Sequence, residues 1–303
     1  MTKVRESQIF GVKTVETVVV GAGLAGVEAA YRLACKKREV LTITSSWDTA
    51  VQPAFLPALS QQEIDKVLAS NNSLLRKVLK KVLFELPTKP KSYYLDKVKL
   101  QMLSKNLLEQ SPYCYLWQDT VDLVNKKSSV YELITHWGLK VKAKKVIVAC
   151  GTFLDGQVFI GNTAFPGGKL GELGSAKFKT ELEKVGVQFE QRELSIPALI
   201  KVEAKRAAFK EGFVPVAKEG NLFSALNYSQ YLCELSLEKQ KKLIKAELGA
   251  TASLVAPAYK VKYWIRAARQ EREQTNLIFI GKAAGATSFV ESIMAAGDVS
   301  RET

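Results

Sequence analysis

Val15-Glu16-Thr17-Val18-Val19-Val20-Gly21-Ala22-Gly23-Leu24-Ala25-Gly26-Val27-Glu28-Ala29-Ala30 is the stretch that decides the fold. Val15 to Val20 is short, mostly apolar and rich in β-branched residues, as a buried strand requires. Glycines follow at once, and Val27 to Ala34 then has helix-forming composition. Gly21 permits a tight turn, Gly23 lets the backbone approach a pyrophosphate, and Gly26 lets the helix pack on the strand while its first N–H groups face the phosphates. A Gly-x-Gly-x-x-Gly string is weak evidence alone. Here it lies between a strand and a helix, with a second strand predicted over Val40 to Thr44, so a dinucleotide-binding βαβ unit is expected. The acid that commonly holds the ribose about 20 residues further on is replaced by Thr44, Ser45 and Ser46. Their hydroxyls can take that role more weakly, or can merely cap the strand.

Outward from this unit, Gln61 to Leu68, Ser73 to Phe84 and Asp96 to Gln110 carry apolar residues at three- and four-residue steps, which predicts a helical insertion interrupted near Pro87 and Pro90. Tyr113 to Trp117, Val121 to Val124, Val130 to Trp137 and Lys145 to Cys150 read as short strands forming a meander and a return strand. Gly151-Thr152-Phe153-Leu154-Asp155-Gly156 and Gly167-Gly168-Lys169-Leu170-Gly171-Glu172 are two further glycine clusters, each readable as a ligand approach or as an ordinary turn. Asn276 to Ile280 reads as a strand leading through Gly281-Lys282-Ala283-Ala284-Gly285 into a helix from about Phe289.

The chain has 303 residues, 47% hydrophobic and 24% charged, which excludes wholesale disorder and fibrous architecture. No apolar run reaches the roughly 18 residues of a membrane span, and Met1 to Lys13 lacks a signal layout, so a cytoplasmic location is expected. One histidine, His136, and four dispersed cysteines, Cys35, Cys114, Cys150 and Cys233, leave no metal-site spacing. His136 reads as structural, and the first three cysteines as buried apolar residues. Lys and Arg number 44 against 30 acids, a net charge of +14, of which residues 60–110 hold +5 and residues 200–275 hold +6. Such a surplus attracts polyanions or marks solvated helices.

These motifs together resemble the MnmG (GidA) family of FAD-dependent tRNA uridine-modifying proteins, in a short GidA-like form, and the related folate-dependent tRNA methyltransferase TrmFO. The first motif is similar to both. Thr44-Ser45-Ser46-Trp47-Asp48-Thr49 is similar to the Thr-His-Asn-Leu-Asp-Thr type of segment in MnmG. Trp137-Gly138-Leu139-Lys140 through Gly156, and Gly167-Gly168-Lys169, resemble MnmG strongly, and Phe289-Val290-Glu291-Ser292 is more like TrmFO. The resemblance implies an α/β Rossmann-like FAD/NAD(P)-binding fold, a parallel sheet with a β-meander. Its FAD domain would be assembled from residues 1–59, 111–193 and 257–303, with a helical insertion over 60–110 and a small inserted subdomain over 194–256. It implies FAD as the resident cofactor, with NAD(P)H as a candidate reductant. Gly21, Ala22, Gly23, Leu24, Ala25 and Gly26 would hold the pyrophosphate, Thr44 and Ser45 would lie near the adenosine ribose, and Asp119 with Trp117 near the adenine. Gly151 and Thr152 would lie near the cofactor's inner edge, and Gly281 with the turn before Phe289 beside the pyrophosphate and isoalloxazine; Glu291 and Asp155 lie near these flavin loops but read better as turn or helix caps.

Departures from the family accompany the matches. Where MnmG reads Gln-Met-Ser-Cys-Asn-Pro-Ala, this chain has Gln52-Pro53-Ala54-Phe55-Leu56-Pro57-Ala58, which puts Phe55 at the cysteine and rules out covalent attack on a uridine ring from that position. The segment 194–256 is too short for a full nicotinamide-binding domain, and the family's C-terminal helical region for tRNA and a protein partner is not expected here. No side chain is nominated as catalytic acid or base. Tyr259-Lys260-Val261-Lys262-Tyr263-Trp264-Ile265-Arg266 alternates as a strand with a basic, Trp-bearing face, suited to RNA or to guarding an edge. The expected function is tRNA wobble-uridine modification by hydride transfer through FAD. The alternatives are a non-catalytic FAD module or assembly partner, and an FAD oxidoreductase acting on a small metabolite. Oligomeric state is not legible.

Overall fold

The computed structural model describes residues 14–53, 58–86, 89–203, 213–215, 228–233, 253–267 and 276–301. The opening motif forms strand β1 (Thr14–Val20), helix α1 (Leu24–Cys35) and strand β2 (Val40–Thr44). β2 pairs in parallel with β1, Val18 opposite Leu41 and Val20 opposite Ile43. The residues that follow β2 lead into α2 (Gln61–Ala69) and α3 (Leu74–Val82). Ser60 and Glu63 form a reciprocal capping box on α2, and the Ser73 hydroxyl caps α3.

α3 stops at Val82, two residues before the predicted helix end, because Leu83 turns to an extended conformation. Strands β3 (Leu83–Leu86) and β4 (Lys89–Leu95) pair there as a hairpin, with the Phe84 and Tyr94 rings 5.8 Å apart. The expected all-helical insertion thus contains a small sheet. Phe84, Tyr94 and Leu95 are buried, and cross-strand aromatic pairing outweighs the helical period that Leu83 and Phe84 continue. Asp96 then caps α4 (Lys97–Glu109).

Strand β5 (Cys114–Gln118) pairs in parallel with β2 and is the edge of the main sheet, outside the meander in which the sequence places it. The meander consists of β6 (Val121–Lys127), β7 (Val130–Thr135) and β8 (Lys140–Val148). β8 is shared: its first half pairs antiparallel with β7, and its second half runs parallel to β1 and to β17 (Leu277–Phe279). The parallel strands therefore stand in the order β5-β2-β1-β8-β17, with the chain reversing direction across the sheet between β1 and β8, where open α/β sheets bind ligands.

Alternation along β1 divides its side chains between two cores. Val19 and Ile147 face α1, α3, α4 and the terminal helix α6 (Phe289–Arg301), whereas Val18, Val20 and Val148 face the meander and helix α5 (Ala176–Lys184). On the first side Glu28 is fully buried, and burial of a carboxylate demands a partner. Its Oε1 accepts from Arg32 Nε at 2.7 Å and its Oε2 from the Leu75 N–H at 3.1 Å, which ties α1 to the start of α3.

A second sheet holds β10 (Thr163–Pro166), β9 (Gln157–Ile160), β16 (Tyr259–Arg266) and β11 (Phe189–Ile196), in that order. A third holds β13 (Phe213–Pro215), β14 (Tyr228–Cys233), β12 (Ala198–Glu203) and β15 (Ser253–Ala256). Phe55 and Met1 to Lys13 lie outside the described residues.

Candidate functional site

A cavity of about 510 Å³ opens at the C-terminal ends of β1, β2 and β8, within the range of small-molecule and cofactor sites. Its floor is Gly21 to Ala25. Gly21 has φ +105°, and a Cβ there would lie 2.7 Å from the Ala149 carbonyl oxygen; a Cβ on Gly26 would lie 1.9 Å from that of Gly21. Those two glycines bring helix, turn and strand together. Gly23 differs: it lines the cavity, and a Cβ there would meet no protein atom within 4 Å. It is also the N-cap of α1 and supplies no side-chain cap, so the first-turn N–H groups are left for a ligand. An open cradle before an uncapped helix N-terminus is what a phosphate requires.

Thr44, Ser45 and Ser46 line the wall at the end of β2. Thr44 Oγ1 reaches the Ser46 carbonyl only at 3.4 Å, and Ser46 Oγ accepts from the Thr49 N–H at 3.2 Å. Asp119 lines the same end, 4% exposed, but both its oxygens are engaged, by the N–H of Thr120 at 2.7 Å and of Trp137 at 3.2 Å. His136 is held in the turn after β7, where Nδ1 lies 3.1 Å from Asp122 Oδ2.

At the far wall, Cys150, Gly151 and Thr152 follow β8 into a short helical turn, and Thr152 Oγ1 donates to the Gly168 carbonyl at 2.6 Å. The two later glycine clusters pack mostly on each other: Gly167 N–H donates to the Gly156 carbonyl at 2.8 Å, and a Cβ on Gly168 would strike the Phe153 ring. Gly168 still reaches the cavity wall. Gly281 does not line it; with φ +63° and its missing Cβ 2.7 Å from Ala25 Cβ, it lets the C-terminal turn approach α1. Glu291 is the third residue of α6, where Oε2 accepts from the N–H and hydroxyl of Thr287, both at 2.8 Å, while its own N–H donates to Ser288 Oγ at 3.0 Å. The two bonds from Thr287 lower its pKa. The structure thus places Glu291 as the helix cap that sets Thr287 and Ser288 on the cavity wall.

Several lining residues stand within the quoted motifs but received no role from them. Lys282 lines the cavity, its pKa lowered by burial and partly restored by the charge of Glu291. Lys169 pairs with Glu172 at 2.9 Å, and Glu172 also accepts from Thr49 Oγ1 at 3.0 Å, closing the rim across 123 positions of sequence. No local pattern signals such a pairing.

No activated thiol stands at the site among the described residues. Burial raises the thiols of Cys114 and Cys150 to about 12, far above the range of catalytic cysteines. Cys35 is exposed, contrary to the expectation of burial: it is the last residue of α1, directly after the buried Leu33 and Ala34, where the chain turns out of the core. The basic residues of β16 meet protein groups: Lys260 Nζ lies 2.8 Å from Glu193, Lys262 lies over the Phe159 ring and Arg266 over the Phe279 ring. On the same face Trp264 receives Lys179, 4.3 Å from its centroid. Among the described residues no cluster of metal-ligating side chains occurs, and no helix is long and apolar enough to cross a membrane.

Residues 16–205 match the family described as glucose inhibited division protein A, well over half of the chain. The chain belongs to the GidA family. Over 208 residues it is 26% identical to the tRNA uridine 5-carboxymethylaminomethyl modification enzyme MnmG of Bacteroides thetaiotaomicron, covering 64% of this chain and 33% of that protein. It is 28% identical over 196 residues to the MnmG of Chlamydia felis, covering 60% and 32%. The chain spans about a third of the length of these curated GidA-family relatives. Its fold is that of Aquifex aeolicus GidA, with TM-score 0.76 at 17% identity over 96% of this chain and 66% of that one. The GidA-related protein from Thermus thermophilus matches with TM-score 0.59 at 19% identity over 95% and 97%.

Proposed function

We propose that this GidA-family chain binds FAD in the cavity at the β1/β2/β8 ends and serves tRNA wobble-uridine modification. The observation that carries the cofactor is Gly23, a cavity-lining N-cap with open space where a Cβ would stand. The N–H groups of Leu24, Ala25 and Gly26 would receive the pyrophosphate, with Gly21 and Ala22 shaping the turn. Thr44 and Ser45 would face the adenosine ribose and Asp119 would fix the wall beside the adenine through its two backbone bonds. Gly151 and Thr152 would border the inner part of the cofactor, with Gly281 and Glu291 acting through the turn they shape. Bound flavin supplies hydride acceptance and donation at N5, with NAD(P)H as the proposed reductant. The protein's part is to hold the ring system against an apolar wall and to keep Lys282, whose charge burial disfavours, facing the cavity.

FAD would then be held by residues 1–59, 111–193 and 257–303, with 60–110 and 194–256 inserted. The tRNA reading is supported by the activity named for the Bacteroides and Chlamydia relatives and by the +14 charge, and it implies work in the cytoplasm, together with a protein partner. A non-catalytic FAD module is the second reading, favoured by Phe55 at the family's cysteine position.

An absorption spectrum of the purified protein, before and after anaerobic NADH or NADPH, tests this. A flavin spectrum that bleaches with a nicotinamide, and is absent from Gly23→Asp, is expected. Flavin that neither nucleotide reduces would favour the module, and protein without flavin after reconstitution with FAD would refute the cofactor.

A further inference from the structure

The meander covers one face of the parallel sheet with Val124, Tyr131, Leu133, Val141 and Ala143, all buried. By the two-residue alternation of strands, the opposite side chains point away from that core. Register places Glu132 opposite Lys142, Ile134 opposite Lys140 and Val130 opposite Lys127, and directly opposed residues share a face. Lys127, Lys140, Lys142 and Lys144 therefore stand on one outer surface; Lys127, Lys140 and Lys144 are exposed and Lys142 is half-buried. The carboxylates on it are few. Glu132 is bound by Lys127 at 2.9 Å, and its pKa is lowered by that bond and by the charges of Lys142 and Lys140. Glu16, on the neighbouring strand β1, is held by Arg38 at 3.1 Å. In the turn joining β7 to β8, three residues before Lys140, Trp137 is 83% exposed. Its backbone is fixed: Trp137 N–H donates to Asp119 Oδ2 at 3.2 Å, and the preceding N–H, of His136, donates to the Thr120 carbonyl at 2.7 Å. Asp119 and Thr120 line the cavity, so the turn that carries Trp137 is anchored to residues of the cavity wall. Asp122, near this turn, is held by His136 at 3.1 Å and Lys177 at 3.2 Å.

We propose that this outer face of the meander docks an unpaired segment of RNA, with phosphates on Lys127, Lys140, Lys142 and Lys144 and one base stacked on Trp137. An exposed indole on a pinned backbone gives a sequence-tolerant stacking platform, and a row of lysines about two residues apart tracks a phosphate chain. An edge lysine guarding against aggregation needs no exposed tryptophan beside it. The inference rests on the tRNA reading above and names the surface through which tRNA would be held.

The test uses a fluorescein-labelled RNA stem-loop, a blunt RNA duplex of equal length and phosphatidylserine vesicles, against the full chain, Trp137→Ala, and the triple variant K140Q/K142Q/K144Q. Circular dichroism and flavin content of each variant should equal those of the parent. The stem-loop should bind more tightly than the duplex, Trp137→Ala should weaken it about five-fold or more, and the triple variant should flatten the slope of log K against log salt by about two units. Stem-loop binding unchanged in both variants would overturn this surface and leave the tRNA reading standing. No RNA binding by the parent chain would overturn both. Vesicle binding stronger than RNA binding, and lost in the variants, would replace RNA with a membrane and overturn the proposal.

Discussion

Replacing Glu28 by Gln keeps the volume of a fully buried side chain and removes its charge. Glu28 holds Arg32 Nε at 2.7 Å and the Leu75 N–H at 3.1 Å, and Arg32 goes on to the Asn71 carbonyl at 3.1 Å and Ser70 Oγ at 2.6 Å. The guanidinium fits because residue 297 is glycine, whose missing Cβ would lie 3.0 Å from it. In E28Q a guanidinium with 6% side-chain exposure is left without its carboxylate, a loss of about 3–5 kcal/mol against a total stability of about 5–15 kcal/mol. At about 2–4 °C per kcal/mol for domains of 150–250 residues, the thermal midpoint followed by circular dichroism should fall by about 6–20 °C. Flavin retention should fall with it, since the same helix presents Gly23 to the cavity. In E28L/R32M both charges leave together, and the midpoint should return to within a few degrees of the parent or rise above it. A single variant within about 2 °C of the parent, or a double variant as unstable as the single, would refute the reasoning.

Three other outcomes follow from the site and its supports. Gly26→Ala should yield protein with little flavin and a lowered midpoint, because the added Cβ would stand 1.9 Å from the Gly21 carbonyl oxygen and force helix from turn; flavin content equal to the parent's would show that the close approach is dispensable. Lys97 is pushed down to about 8 by burial and by the nearby charge of Lys169. The folded state therefore holds this proton less well than the unfolded chain, so the penalty is full below pH 8 and is relieved as pH rises from about 8 toward 10.5. Lys97→Met should stabilise the protein at pH 7, and urea titrations should show the gain shrinking over that interval; a gain independent of pH would refute the assignment. Brief maleimide labelling at pH 8 with peptide mapping should modify Cys35 and spare Cys114 and Cys150, whose thiols lie near 12; labelling of Cys150 at the rate of Cys35 would show an accessible thiolate in the cavity.

The βαβ unit was legible from residues 15–44 alone, since its determinants are local: β-branched residues that favour extension, a glycine with φ +105° that other residues rarely adopt, and helix formers directly after it. The strands read within residues 113–150, at Tyr259 to Arg266 and at Asn276 to Ile280, and the helix from Phe289, were legible for the same reason, whereas β9 to β15 were not. Other features needed the tertiary structure. Whether Leu83 and Phe84 continue a helix or pair with Tyr94 and Leu95 depends on a partner strand, and the winning arrangement buries Phe84 and Tyr94 together. β5 reads as one more meander strand until Val40 is set opposite Cys114. The site divides the same way. Gly21, Gly23 and Thr44 could be placed by spacing, whereas Lys282, the Thr49–Glu172–Lys169 rim and the engagement of both Asp119 oxygens depend on contacts between segments far apart in the chain. Local conformational preference is written residue by residue, but a hydrogen bond across 123 positions exists only once packing has brought its two ends together, and from residues alone it has no period, spacing or composition by which to be read.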